Sequence, residues 1–271
     1  MSTQFDTRTG ANEVPLLGGL TNTGLTMRVG DTVRRPLRPT SPATRAVLDH
    51  LEHVGFEGAP RYLGIDDRGR EVLAYIEGHA PVEPHPEWAL TDAALVSVAV
   101  LLRGYHQAVA SFDPTPHDWP QAVPRAFNEG LISHNDPNLD NVIFDGGRAV
   151  ALIDFDLASP GSAAWDLACC ARLWAPLRER RDCPASLRGR SLERLALFAD
   201  AYGASAAQRA GMVDALVHTH DWCYRIVRGA VLAGHEAFSR YWRAEGEARA
   251  GRTRRWLAEH GPEIREALEV R

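Results

Sequence analysis

The chain has 271 residues and 30 basic side chains, and all 30 are arginine because the sequence contains no lysine. This composition excludes chemistry that needs a lysine amine, such as a Schiff base, a lysine general base or the phosphate-binding lysine of a P-loop. The net charge of −5 argues against a large nucleic-acid-binding surface.

The first 77 residues are predicted to be rich in β-strands. Apolar and polar residues alternate in several short runs, and the turns at Gly30-Asp31 and 66–69 separate neighbouring runs. A helix is predicted from Ser41 to Gly55, with Ser41 as N-cap, Pro42 in the first turn and apolar residues recurring along one face. The predicted strands are 16–20, 23–29, 32–35, 61–65 and 71–76.

Residues 78–271 are predicted to be mainly helical, and we place a domain boundary near residue 78, where the composition changes. A helix is expected from Thr91 to about Ala110. The turn 145–147 predicts a hairpin of strands 142–144 and 149–153. Helices are expected from residue 162 onward, with breaks at 176–191, 203–205, 246–251 and 261–262.

The four cysteines, at 169, 170, 183 and 223, lack Cys-x-x-Cys spacing and predict neither a disulfide framework nor a zinc site. The first twenty residues do not show a secretory-signal pattern, and no apolar run approaches eighteen residues. We therefore expect a cytoplasmic protein that binds neither membrane nor nucleic acid, as a monomer or a dimer.

The stretch 133–168 contains the residues that point to a chemical activity. Asp136 follows two residues after His134, and Asn141 follows five residues later. The predicted hairpin then returns the chain so that Asp154 lies beside Asn141. Their oxygens suit Mg²⁺, and Asp136 can orient a substrate hydroxyl, which is the arrangement that phosphoryl transfer needs. The structural alternative is that these residues simply form turns and end a strand.

Residues 134–156 resemble the catalytic segment of the aminoglycoside phosphotransferases and choline kinase-like enzymes. In that family the loop reads His-Gly-Asp-x-x-x-x-Asn and the metal motif reads Ile-Asp-[Phe/Trp]-[Gly/Asp]. This chain has His134-Asn135-Asp136 and Ile153-Asp154-Phe155-Asp156. The resemblance implies Asp136 as catalytic base, Asn141 and Asp154 as Mg²⁺ ligands, and His134 and Asp166 as structural supports.

The same resemblance implies an α+β, bilobal protein-kinase-like fold. A small lobe at 1–77, made of an antiparallel sheet with one helix, would bind ATP or GTP, and a larger helical lobe at 78–271 would hold the catalytic and acceptor sites. Thr21, Asn22 and Thr23 would lie over the phosphates. The backbone of Ala74, Tyr75 and Ile76 would face the adenine.

The chain departs from the family pattern where the third strand normally carries a phosphate-binding lysine. An arginine must fill that position, and we favour Arg34 over Arg35; neighbours on a strand point to opposite faces, so only one can serve. The helix glutamate that pairs with the lysine is also missing. Thr44 or Arg45 occupies its position, and Asp49 or Glu52 could substitute from another turn.

The acceptor is expected beneath Asp136, against the C-terminal helices. Asp221 and Glu236 could recognise an amine, although surface charges are the commoner explanation, and Trp222 and Tyr224 could stack on a ring or pack in the core.

Three functions are compatible with these residues. The first is an ATP-dependent kinase that phosphorylates a hydroxyl of a small molecule, such as an aminoglycoside-like antibiotic or an amino alcohol. The second, suggested by the missing Lys–Glu pair, is a weakly active or inactive binding protein of the same fold, acting as a nucleotide-gated sensor or in toxin or antibiotic immunity. The third is a metal-dependent hydrolase that uses His134, Asp136 and Asp154.

Overall fold

The computed structural model describes residues 13–16, 25–119 and 122–269. Its N-terminal part is built on an antiparallel sheet of five strands in the order β1-β2-β3-β5-β4. The strands are β1 (Val14–Pro15), β2 (Met27–Val29), β3 (Thr32–Pro36), β4 (Tyr62–Ile65) and β5 (Arg70–Ala74). The predicted strand at 16–20 and the turn at 21–23 fall mostly outside the described residues.

Local sequence explains the tight connections of this sheet. Gly30, with φ of 58°, allows the turn between β2 and β3. In the turn between β4 and β5, the Asp66 carboxylate accepts hydrogen bonds from the backbone N–H groups of Arg68 at 3.0 Å and Arg70 at 2.8 Å. These interactions fix the register in which β5 meets both β3 and β4.

Helix α1 (Ser41–His53) lies against the sheet and buries Val47, Leu48 and Leu51. Thr40 occupies the N-cap, so the helix begins one residue before the predicted position. The Ser41 hydroxyl instead accepts a hydrogen bond from the backbone N–H of Arg38 at 3.0 Å. This bond orders the segment that leads from β3 into α1.

The C-terminal part is mainly helical, as predicted. Thr91 caps α2 by accepting a hydrogen bond from the Ala94 N–H, and Ser205 forms a capping box with Gln208 at the start of α5. The helices are α2 (Asp92–Val109), α3 (Ala163–Trp174), α4 (Ser191–Tyr202), α5 (Ala206–Leu232), α6 (Glu236–Tyr241), α7 (Glu247–Glu259) and α8 (Gly261–Leu268).

Two details of these helices differ from the prediction. The expected break at 246–251 is wrong, because a π-helical turn at Trp242–Gly246 continues directly into α7, which contains Gly251. A break that was not predicted follows α5, where Gly234 has a φ of 81°. An isolated glycine can end a helix, as Gly234 does, or lie inside one, as Gly251 does, and the sequence alone does not distinguish the two cases.

Two short antiparallel pairs carry the loops of the site. Strand β6 (Leu131–Ser133) pairs with β9 (Ser159–Gly161), and β7 (Val142–Asp145) forms the predicted hairpin with β8 (Arg148–Leu152). The catalytic-type loop follows β6, and the Asp154 motif follows β8. Because β6 and β8 both pack on α2, the two motifs that follow them meet, and His134 contacts the Ile153 carbonyl.

The two parts of the chain join at Gly78. His79 pairs with Phe144 of β7 through backbone hydrogen bonds of 2.9 and 3.0 Å. A side chain at residue 78 would approach the Phe144 carbonyl oxygen to 2.5 Å, so only glycine fits against this hairpin. The predicted division at 77/78 follows the end of β5 at Ala74 and stays a prediction about separate lobes.

The hydrophobic core runs through both parts and is richest in large side chains where α2, α3 and α4 meet. Tyr105, Trp165, Trp174 and Phe198 are almost completely buried there. Across the described residues, no helix combines the length and the apolar composition that crossing a bilayer requires.

Candidate active site

Asp166, in the first turn of α3, holds the loop that begins at His134. Its fully buried carboxylate accepts hydrogen bonds from the backbone N–H groups of His134 and Asn135, both at 2.8 Å, and lies 3.0 Å from Nε2 of His106. Burial opposes ionisation, but the hydrogen bonds and the nearby imidazoles keep the pKa of Asp166 below its ordinary value. These hydrogen bonds to Asp166 hold the loop backbone at His134 and Asn135.

Asn135 stands where the family pattern has glycine, and it adopts the left-handed conformation with φ of 67°. Its side-chain amide donates to the Leu157 carbonyl and the Ser159 hydroxyl, each at 2.8 Å, and its Oδ1 accepts from Trp165 Nε1 at 2.8 Å. Asparagine tolerates this backbone better than most residues, and its hydrogen bonds tie the loop to the segment after Asp154.

His134 connects the two motifs. Its ring nitrogen Nε2 lies 3.1 Å from the Ile153 carbonyl, and Nδ1 accepts a hydrogen bond from the Asp136 N–H at 3.3 Å. Burial lowers the pKa of His134, so the ring is neutral and donates from Nε2. These contacts join the loop to the end of β8, and the position of His134 does not suit a hydrolytic metal ligand.

The end of the β7–β8 hairpin brings together Asp136, Asn141 and Asp154. The Asn141 amide donates to the Asp136 backbone oxygen at 2.9 Å and to its carboxylate at 3.1 Å. The Asn141 carbonyl accepts from the Ile153 N–H at 2.9 Å, directly before Asp154. Asp154 has φ of 62°, which turns its side chain out of the strand line and into the site.

Burial and neighbouring carboxylates oppose the ionisation of both Asp136 and Asp154. Burial, and then the charge of Asp154, raise the pKa of Asp136 to about 7. Burial, and then the charge of Asp156, raise the pKa of Asp154 to about 6. Buried like charges that are held together in this way favour a cation between them.

The donor set fits Mg²⁺ bound together with phosphates. The N–H₂ group of Asn141 donates to Asp136, so the amide oxygen of Asn141 is available as a metal ligand. Asp154 contributes a carboxylate. Among the described residues, no three His, Cys, Asp or Glu side chains form a cluster that would hold a metal ion by itself. A Mg²⁺ ion here therefore needs oxygens from a ligand, as is usual where nucleotide phosphates share the ion.

Arg35 reaches this site from the sheet. Its Nε donates to Glu71 at 2.9 Å, and its Nη1 lies 2.9 Å from Asp156 and 3.4 Å from Asp154. Arg35 and Glu71 are directly opposite each other on β3 and β5. Arg38 adds a second ion pair to Asp156 at 2.7 Å.

The preference for Arg34 over Arg35 is wrong in this geometry. Arg34 faces the other side of the sheet, where its Nε lies 4.0 Å from Asp66, whereas Arg35 contacts Asp154. Alternation along a strand indicates that Arg34 and Arg35 point to opposite faces of the sheet, but it does not indicate which face carries the site. The acidic partner also comes from an unexpected element, since it is Glu71 of β5 and not a residue of α1.

The α1 residues considered for the acidic partner have other contacts. Glu52 pairs with Arg61 at 3.5 Å. Thr44 instead lies 3.4 Å from the Phe155 carbonyl through its hydroxyl, so α1 still touches the segment after Asp154. Glu71, Asp156 and Arg38 were missed as site residues, because their place depends on strand register and on the fold of both parts.

The expected adenine-facing segment continues β5. The N–H groups of Ala74 and Tyr75 already donate to the carbonyls of Arg61 at 2.8 Å and Asp31 at 2.9 Å. Arg28 stacks on the Tyr75 ring at 3.6 Å from its centroid. Backbone contact with a base would therefore fall to Ile76 and to carbonyl groups. Thr21, Asn22 and Thr23 lie outside the described residues.

Three of the four expected acceptor residues have other partners. Asp221 forms an exposed ion pair with Arg254 at 3.0 Å, and Glu236 pairs with Arg240 at 2.7 Å. Trp222 is buried, with its ring 5.8 Å from that of Trp165. Their acceptor role is not supported, because helix direction turns them outward or into the core. Tyr224 is half-buried, with its ring 4.7 Å from that of His220 and 6.0 Å from that of Trp242.

Comparison with known proteins identifies relatives of this chain. A family model described as a phosphotransferase enzyme family matches residues 117–199. The chain is 34% identical over 270 residues to the trifolitoxin immunity protein of Rhizobium leguminosarum bv. trifolii, covering 95% of this chain and 99% of that protein.

Solved structures show the same fold. A choline/ethanolamine kinase family protein from Mesorhizobium loti aligns with a TM-score of 0.64 at 16% identity, covering 96% of this chain and 94% of that chain. The ternary complex of streptomycin, ATP and APH(2")-IIa aligns with a TM-score of 0.54 at 15% identity, covering 85% and 94%. The expected α+β, bilobal kinase-like fold is confirmed.

Proposed function

Because the chain belongs to the phosphotransferase enzyme family, we propose that it is a small-molecule kinase that transfers the γ-phosphoryl group of ATP to a hydroxyl. The observation that carries this proposal is the meeting of Asp136, Asn141 and Asp154 beneath Arg35 of the sheet. Catalysis of phosphoryl transfer is mostly positioning and charge stabilisation, and this site supplies both from two parts of the chain.

Each residue has a chemical task in the proposed reaction. The Asp136 carboxylate accepts the proton of the acceptor hydroxyl, and the acceptor oxygen forms a bond to the γ-phosphorus. The bond from that phosphorus to the β,γ-bridging oxygen breaks, and ADP leaves with the electron pair. Asn141 and Asp154 would hold Mg²⁺, whose chemistry is to neutralise the phosphate charge. The pKa of about 7 suits Asp136 to receive a proton near neutrality.

Arg35 is proposed to replace the lysine that the sequence lacks. An arginine on this face presents a forked set of donors that suits phosphate oxygens. Glu71 fixes the orientation of Arg35 through its Nε at 2.9 Å, which leaves the terminal nitrogens directed toward Asp154 and Asp156. In this proposal, the Arg35–Glu71 ion pair between β3 and β5 takes the place of the family's lysine–glutamate pair.

The test of this proposal is phosphoryl transfer by the purified full chain with Mg²⁺ and ATP, or GTP, across a panel of hydroxyl compounds. We expect Asp136→Asn to lower kcat at least about 100-fold while ATP affinity changes little, because the base acts on the acceptor. Asp145→Asn, at the exposed tip of the hairpin, is the matched control. An Asp136→Asn protein with wild-type transfer to the best acceptor would overturn the proposal.

A second function is favoured by the full-length similarity to the trifolitoxin immunity protein. Under this alternative the chain protects its host by binding a toxin, and the kinase fold serves as a binding scaffold. Expression of wild type and Asp136→Asn in a toxin-sensitive host separates the two. Protection that survives the substitution supports binding, and protection that is lost with it supports phosphorylation.

A further inference from the structure

Two arginines beside the active site lack the acidic partners that other arginines of the helical part have. Arg194 and Arg252 pair with carboxylates at 2.6 Å. Arg172, in the last turn of α3, and Arg178, just after it, form no ion pair within the described part of the chain. The Nε atoms of both are buried and have no hydrogen-bond partner there. A buried donor without a partner is unfavourable, and a ligand that accepts its hydrogen bond removes this cost.

The packing of α3 places Arg172 against the catalytic-type loop. The indole N–H of Trp174 donates to the Pro137 carbonyl at 2.9 Å, so the end of α3 touches the residue after Asp136. Cys169 lies one turn before Arg172 on the same face, and that face packs against α5 near Cys223 and Tyr224. Arg172 acts electrostatically on Asp136 of the loop and on Cys223 and Tyr224 of α5, so its guanidinium lies near both elements.

The charges in this region agree with that position. Burial raises the pKa of Asp136, and Arg172 opposes the rise. Burial, and then the like charge of Arg249, lower the pKa of Arg178, and Arg172 also lowers it. Arg172, Arg178 and Arg249 thus place like charges near one another, and Asp136 is an acidic group that lies near Arg172. An acceptor that carries ammonium groups would be repelled.

We propose that the acceptor carries an anionic group, a carboxylate or a phosphate, that binds Arg172 and Arg178 while its hydroxyl meets Asp136. This inference rests on the proposed kinase function and names the substrate class of the same site. Arginine binds either anion with two parallel hydrogen bonds, which would fix the direction of the hydroxyl as well as the affinity.

The test uses acceptors that differ only in charge: 4-hydroxybutyrate, its amide, and 4-aminobutan-1-ol, together with glycerol 2-phosphate and glycerol. With Mg²⁺ and ATP, we expect the carboxylate or the phosphate compound to have a kcat/KM at least tenfold above its neutral counterpart. The amine should be the poorest of its set. Arg172→Gln should remove the preference for the anion, Arg172→Lys should keep part of it, and Arg254→Gln, at an exposed pair, should keep all of it.

Binding is measured separately from turnover, so that failure of the kinase function is recognisable. Glycerol 2-phosphate or 4-hydroxybutyrate should raise the Tm of wild type and of Arg35→Ala, but not of Arg172→Gln. If this shift appears without any phosphoryl transfer, the anion site stands and the kinase function fails. Preference for the amine, or an equal shift in Arg172→Gln, would overturn the anion site. A preference between carboxylate and phosphate identifies which anion the site takes.

Discussion

At the scale of single residues, the role proposed for Arg35 would give a chain without lysine a cationic group for phosphate. Strand pairing places Glu71 directly opposite Arg35, and the ion pair at 2.9 Å is buried. A buried guanidinium needs such a partner, because an isolated charge would be expensive to desolvate. The family's separate helix glutamate is unnecessary once the neighbouring strand supplies a carboxylate.

Substitution of Arg35 should weaken nucleotide binding, whereas substitution of Arg34 should not. We expect Arg35→Ala to raise the Kd for MgATP about 10- to 100-fold, the value of a charge-assisted hydrogen bond of roughly 1.5–3 kcal/mol. Arg34→Ala is the control, since Arg34 is equally buried but faces Asp66 on the other side of the sheet. Calorimetric titration with both variants checks this, and an equal loss in the two would contradict it.

Asp154 is expected to reduce the stability of the empty protein at neutral pH. Burial and Asp156 raise its pKa to about 6, above the ordinary value of 3.8. The folded state therefore holds a proton that the unfolded chain releases, and stability falls as pH rises from about 4 to about 6.

Asp154→Asn should consequently raise the Tm at pH 8 by a few degrees and change it little at pH 4. Arg35 keeps Glu71 and Asp156 as partners in this variant, so no charge is stranded. Thermal unfolding in a metal-free buffer measures the difference, with Asp145→Asn as the control. A variant that is less stable than wild type at pH 8 would show that Asp154 is a net stabilising residue.

At the scale of elements, the docking of α7 on α5 depends on one buried histidine. His220 of α5 lies with Nε2 3.1 Å from the Ala250 carbonyl of α7. Burial, and then the charge of Arg172, lower the pKa of His220 to about 4, while Asp221 opposes the decrease. Protonation of His220 would place a second cation near Arg172, so the helix pair is more stable with the neutral ring.

This contact predicts a pH dependence of stability. The unfolded chain binds a proton at His220 below about pH 6.5, but the folded chain binds it only near pH 4. The free energy of unfolding therefore decreases as the pH is lowered from about 6.5 to about 4. At pH 5 the loss is about 2 kcal/mol relative to pH 7.5. His220→Gln, whose amide can still donate to Ala250, should reduce this loss in urea unfolding, whereas exposed His53→Gln should not. An unchanged pH profile in His220→Gln would contradict the assignment.

At the scale of the whole molecule, local patterns predicted the elements but not their pairing. Alternation, caps and glycine turns indicated six of the nine described strands and most helices, and the spacing of Asp136, Asn141 and Asp154 indicated their convergence. The face of β3 that meets the site, and the partnership of Arg35 with Glu71, depend on strand register, which sequence alone did not fix. Arg172 was missed for a similar reason, because its place depends on how α3 packs on α5.

At the junction between the two parts, the addition of one methyl group at Gly78 should affect both the stability of the protein and its binding of MgATP. Gly78 has φ of 135°, and a methyl group there would approach the Phe144 carbonyl to 2.5 Å. Gly78→Ala should therefore lower the free energy of unfolding by at least about 2 kcal/mol, from backbone strain together with a clash that separates His79 from the hairpin.

Gly147→Ala separates these two contributions, because Gly147 also has a positive φ, of 80°, but has open space around it. It should cost only the strain, roughly 1 kcal/mol, and leave nucleotide binding unchanged. Gly78→Ala should also weaken MgATP binding, because the segment proposed to face the base ends two residues before it and the clash displaces the sheet from Asp154. Equal losses of stability in the two variants, with equal ATP affinity, would show that the His79–Phe144 contact does not couple the sheet to the catalytic loops.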